Sequence, residues 1–153
     1  MGYDTEALRS TLESTAQAVR AMTVRLKRTQ AEVQGLGFIA RSFVEKDISG
    51  STGRSLADWA KAADTLASVL DAASRDGQAQ GRATQAITAE RPRLAALRAY
   101  LERAPQKVNM VPGGMLKPAQ RADFLREVGD QARAIQALEQ DLARLAEGLA
   151  SVG

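Results

Sequence analysis

From Leu8 to Phe43 the chain repeats a heptad: Leu8, Leu12, Thr15, Val19, Met22, Leu26, Thr29, Val33, Leu36, Ala40 and Phe43 follow at alternating steps of four and three residues. A mean period of 3.5 residues places them on one narrow stripe of a helix, and a stripe that long needs partner helices along its whole length. Thr15, Thr29 and Ala40 are small or polar, so neighbours must approach closely there. The same spacing returns twice. Leu56, Trp59, Ala63, Leu66, Leu70 and Ala73 form a second stripe, while Phe124, Val128, Gln131, Ile135, Leu138, Leu142, Leu145, Leu149 and Val152 form a third and better filled one. Abundant Ala, Leu, Arg, Gln and Glu with few aromatics agrees with an all-α chain.

The punctuation between stripes sets the expected order of helices. The first helix runs to about Asp47, with Gly35 and Gly37 inside it. Each glycine costs about 1 kcal/mol relative to alanine in a helix interior, so the pair marks a bend or a close backbone approach, unless it is simply tolerated. Asp47-Ile48-Ser49-Gly50-Ser51-Thr52-Gly53 is rich in turn residues and reverses the chain, with Ser51, Thr52 or Ser55 capping the second helix. Trp59, within a turn of that reversal, is expected as a core plug over the end of the first helix near Phe43 or Val44.

Further on, Ser74 to Ala86 has no large apolar side chain and contains Gly77 and Gly81. The helix either thins there or breaks near Asp76-Gly77, and Pro92 adds a second irregularity because it lacks an amide hydrogen. A kinked or restarted helix, its later part running over about Glu90–Arg103, buries Leu94, Leu97 and Leu101, with Tyr100 at its margin. Pro105 to Pro118 reads as the longest non-helical segment, and the last helix starts near Pro118. The expectation is a single domain over residues 1–153: an antiparallel helical bundle of three long helices, the middle one kinked or broken, giving three to four segments. The first and last helices should pack along much of their length, leaving the glycine-broken middle section as the weak wall.

Several chemistries are excluded. The chain has no cysteine and no histidine. Thiolate and imidazole metal sites, the usual general base near neutral pH and the usual activated thiol are therefore absent together. Asp123, Glu127 and Asp130 share a helix face, but at the start of the last helix they read as solvated groups matching its dipole. Gly50-Ser51-Thr52-Gly53-Arg54-Ser55 lacks the spacing and the lysine of a phosphate-binding loop. An enzyme is not expected, nor is a metal or cofactor. No run of about 18 apolar residues occurs, and Asp4 and Glu6 stand where a cleaved leader carries positive charge. The expected protein is soluble, and cytoplasmic or exported without a cleaved signal peptide.

Two kinds of partner surface remain. Val108, Met110, Val111 and Met115 are apolar residues around the Pro112-Gly113-Gly114 turn; they pack on the end of their own bundle or on a partner protein. Gly77 and Gly81 mark the weak wall where a partner would dock. The alternative is a nucleic-acid-associated helical subunit. The net charge of +3 is modest, but Arg20, Arg25, Lys27 and Arg28 form one basic group and Arg91, Arg93 and Arg98 belong to another. Such residues contact phosphates, or else are a solvated face or interhelical ion pairs. Interleaved aromatics for single strands and a short helix-turn-helix unit are both missing. A coat on a lipid or polymer surface would also use amphipathic helices, and predicts a chain that gains helix only on that surface.

In layout the N-terminal half resembles the WxG family of small helical-hairpin proteins exported by bacterial ESX (type VII) systems. The place of the family's Trp-x-Gly turn is taken by Ile48-Ser49-Gly50-Ser51-Thr52-Gly53-Arg54-Ser55-Leu56, with Ile48 standing where the tryptophan is found. The resemblance implies two antiparallel helices around that turn and a role as a partner or substrate of type VII secretion. An interaction or assembly factor of a phage or mobile element fits the same composition.

Overall fold

The computed structural model describes residues 5–109 and 117–152, the side chains of residues 107–109 and 152 excepted. Among them are five α-helices and no strand: α1 (Thr5–Gln34), α2 (Phe38–Thr52), α3 (Leu56–Arg75), α4 (Gln80–Asn109) and α5 (Pro118–Val152), with a single 3-10 turn, Gly77–Ala79, between α3 and α4. The all-α expectation holds. The expected three long helices become five because breaks and continuations fall elsewhere than the turn residues indicated.

The first break comes at Gly35–Gly37. Gly35 N–H reaches the carbonyls of both Ala31 and Glu32 at 3.1 Å, and Leu36 N–H donates to Val33 O at 3.1 Å, so the last turn of α1 tightens. Gly37 is then extended (φ −60°, ψ 155°) and its carbonyl accepts from Arg41 N–H to begin α2. Conversely, Asp47–Thr52 stays helical. Buried Ile48 and Thr52 hold this stretch down, and the Thr52 hydroxyl donates back to the Ile48 carbonyl at 2.7 Å. Only Gly53–Ser55 forms the reversal. Gly53 adopts the left-handed conformation (φ 82°) and donates to Ser49 O, closing α2 as glycine does at a helix end. Ser55 caps α3 by accepting from Asp58 N–H at 3.1 Å.

In the second half α4 is one helix that continues through Pro92 and Pro105, where a kink or restart near Glu90 and a loop from Pro105 were expected. Both prolines are exposed, so water can serve the carbonyls they leave unpaired. Ala83 and Ile87 on one side of Pro92, and Leu94, Leu97, Leu101 and Ala104 on the other, are buried and pin the helix to the bundle. The break near Asp76-Gly77 is real: Asp76 Oδ1 accepts from Gln78 N–H at 3.0 Å and starts the 3-10 turn.

Helix pairing follows the expected reversal. The main neighbour of α1 is α3, which runs antiparallel to it, so that Arg20 meets Asp71 at 3.1 Å while Val33 and Leu56 line one depression. Helix α5 packs first against α4 and only second against α1. The α1–α5 contact includes a buried polar pair in which Gln131 Nε2 donates to Thr29 Oγ1. The stripe of α3 is close to the one in the first helix in sequence and small enough to nest on it, so the expected α1–α5 contact is present but is the lesser of the two. A continuous core runs from Leu8 to Leu149, drawing on every helix, and Trp59 is its largest fully buried side chain.

Candidate docking cleft

The break at Gly35–Gly37 sends α2 against α4 and away from α1, and a cleft opens where α1, α2, α4 and α5 meet. Its volume is about 280 Å³. Val33, Gly35 and Leu36 come from the end of α1, Ala40, Phe43 and Val44 from α2, Ala104 from α4 and Phe124 from the start of α5. Polar groups sit among them: Glu32, Asp47, Tyr100, Gln120 and Asp123. The Tyr100 hydroxyl donates to Asp47 Oδ2 at 3.0 Å. Burial, then the neighbouring Asp47 charge and this hydrogen bond, push the Tyr100 pKa upward, so the phenol stays protonated through the neutral range.

Apolar surface continues outside the cleft on the first turn of α2. Phe38 is 73% exposed and Ile39 64%, while Phe43, which lines the cleft, is 44% exposed. The Arg41 guanidinium lies 5.7 Å from the Phe38 ring centroid. Three large apolar side chains are thus open on one short helix, whereas Val24 is exposed alone on α1.

A second group of aromatic and charged residues is closed. Arg54 makes a bidentate pair with Glu90, both bonds 2.8 Å, and its guanidinium stacks 4.8 Å from the Trp59 ring centroid. Trp59 Nε1–H donates to Thr52 Oγ1 at 2.9 Å. Trp59 is thus the expected plug, seated on Thr52 and Arg54 at the α2–α3 turn. The hydrogen bond to Glu90 raises the already high Arg54 pKa against the opposing effect of burial. With its polar groups partnered, this cluster ties the α2–α3 turn to α4 and offers nothing to a ligand.

Gly77, Gly81 and the basic residues singled out in the sequence do not line the cleft. Gly77 and Gly81 are exposed, with open space around each where a side chain would project, and form no groove. Met110, Val111 and Met115 lie outside the described residues, as does the side chain of Val108. The basic residues do not form one stripe. Arg20 pairs with Asp71, and Arg98 with Glu139 and Glu102. Arg25 and Lys27 flank buried Leu26 on opposite sides, and Arg28 points away from that stripe. Arg91 and Arg93 are exposed; with Arg25, Lys27 and Arg28 they make no ion pair among the described residues.

The sequence reading missed the cleft because Leu36, Ala40 and Phe43 continue the heptad and so read as core. The Gly35–Gly37 pair was the signal that they leave it. Asp123 and Glu127 are solvent-accessible as expected, and no group of His, Cys, Asp or Glu among the described residues is arranged to hold a metal ion. No described helix is long and apolar enough to cross a membrane. The chain matches no family model, no curated protein and no solved structure.

Proposed function

We propose that this chain is a non-enzymatic helical interaction protein that docks an apolar segment of a partner in the cleft between α1, α2, α4 and α5. The observation that carries the reading is the exposure of Phe38, Ile39 and Phe43 around a preformed apolar cleft, on a helix otherwise anchored by buried Ala40, Ile48 and Thr52. Partner helices and peptides commonly seat one or a few bulky side chains in such a groove. The experiment is selection of a randomised peptide library on the folded chain, followed by binding to Phe43→Ala. Enriched peptides should lose at least about tenfold in affinity on the variant, about 1.4 kcal/mol or more. Absence of enrichment, or equal binding to the variant, would overturn the proposal.

The layout around Ile48–Leu56 supports a narrower version, in which the partner belongs to a type VII (ESX) system or the chain is its substrate. Export that stops when such a system is deleted from the host is the expected result; unaffected release or no release would remove it. The unpaired Arg25, Lys27, Arg28, Arg91 and Arg93 favour a second reading as a nucleic-acid-associated subunit. Their spread over several faces weakens it, and absence of binding to duplex or single strand at low salt would end it.

A further inference from the structure

We infer that the cleft selects its occupant by charge as well as by apolarity, and takes a bulky apolar side chain lying beside a lysine or arginine of the partner segment. This inference rests on the docking reading above and names the partner's chemistry. The chain as a whole carries a net charge of +3. Yet among the described residues the ionisable side chains lining the cleft, apart from the Tyr100 phenol, are the carboxylates of Glu32, Asp47 and Asp123. Three aromatic rings face the same space: Phe43, Tyr100 and Phe124. The face of an aromatic ring is electron-rich and attracts a cation, so rings and carboxylates favour the same kind of guest.

Among the described residues, Asp123 has only a weak counter-charge and Glu32 has none. Asp123 meets Arg126 at 3.4 Å with both side chains about 70% exposed, a screened contact of little strength. Glu32 makes no ion pair among the described residues. Asp47, deeper in the cleft, accepts from the neutral Tyr100 hydroxyl. The carbonyl end of α1 adds partial negative charge beside Gly35, and the amide end of α5 opposes it near Gln120; the carboxylates decide the sign. At about 280 Å³ the cleft is at the small end for ligand pockets and suits one ring-sized group with its charge at the rim.

The test uses side-chain mimics on the full chain, isotope-labelled for nuclear magnetic resonance. Phenethylammonium, phenethyl alcohol and phenylpropionate share one apolar ring and differ in charge. The ammonium should bind about tenfold more tightly than the alcohol at low salt, and the carboxylate more weakly than either. Shifts should centre on Phe43, Tyr100 and Phe124, and the preference should shrink as salt is added. In the double variant Glu32→Gln, Asp123→Asn the ammonium should bind about as the alcohol does, with the alcohol unchanged. Equal binding of the three mimics at the cleft would overturn the charge selection and leave apolar docking standing. Failure of all three to shift cleft residues would overturn both.

Discussion

The α2–α3 turn and the cleft are built from the same materials, aromatic rings beside charged groups, and they end in opposite states. At the turn, Trp59 is 1% exposed, Arg54 covers its face, Glu90 pairs with Arg54, and Thr52 takes the indole hydrogen. Acid and base stand within reach of each other there, and little of either side chain meets water. At the cleft the charged lining residues among those described are all carboxylates and the backbone break holds α2 away from α1, so Phe43 stays 44% exposed. Closure depends less on how apolar a cluster is than on whether its polar members can satisfy one another.

That contrast is open to attack, beginning where the effect is largest. Trp59→Ala removes the largest buried side chain and should cost about 3–5 kcal/mol, read as a large fall in the urea midpoint. A loss below about 1 kcal/mol would mean that the turn is no more closed than the cleft. Glu90→Gln leaves the Arg54 guanidinium, 17% exposed, without its counter-charge and should cost about 2 kcal/mol by the same melts. Little change there would show that water already reaches the pair. Next comes a glycine comparison. Gly53→Ala places a side chain at φ 82° and should cost about 1 kcal/mol, whereas Gly37→Ala, at φ −60° with open space around the added carbon, should change stability by less than about half of that. Tyr100→Phe should also cost less than about 1 kcal/mol at neutral pH.

Tyr100→Phe also has a signature in pH. Because the folded chain raises the Tyr100 pKa, the unfolded chain loses this proton first, so the contribution is fully present below about pH 10 and declines as pH rises above it. Urea melts from about pH 9 to about pH 11 should therefore show a shallower fall in the variant than in the native chain. Parallel curves would mean that the phenol is as solvated as a free tyrosine and that the cleft is wetter than drawn.

Much of the core was legible in the sequence. Leu56, Trp59, Ala63, Leu66, Leu70 and Ala73 are all buried, as is the α5 stripe from Val128 to Leu149, because amphipathic spacing reports directly which face of a helix is covered. The breaks were less legible. Ser49, Gly50 and Ser51 look like a turn by composition, but Ile48 and Thr52 on either side are buried and keep the backbone helical, so tertiary packing overrides local propensity. Gly35 and Gly37 carried the opposite message in fewer residues. The cleft was hidden for a related reason: a heptad in sequence is blind to a change of direction in the backbone, and Phe43 keeps the phase of the stripe after α2 has left it. Which stripe covers which is a matter of topology: the reversal at Gly53 made α3 the neighbour of α1, while periodicity alone could not say that α5 would lie more on α4 than on α1.

The hydrogen bond from Gln131 to Thr29 acts as an index pin between α5 and α1. Both side chains are buried, so sliding α5 by one turn, about 5.4 Å, would break this bond, leaving the Gln131 amide only its longer contact with Glu127 on the same helix, at 3.3 Å. A seam of leucines and valines alone would accept several such settings; one polar pair admits a single one. Phe124 stands two turns upstream of Gln131 on the same helix, so the pin also sets the height at which that ring enters the cleft. The depth of the opening on the surface is thereby gauged from inside the bundle.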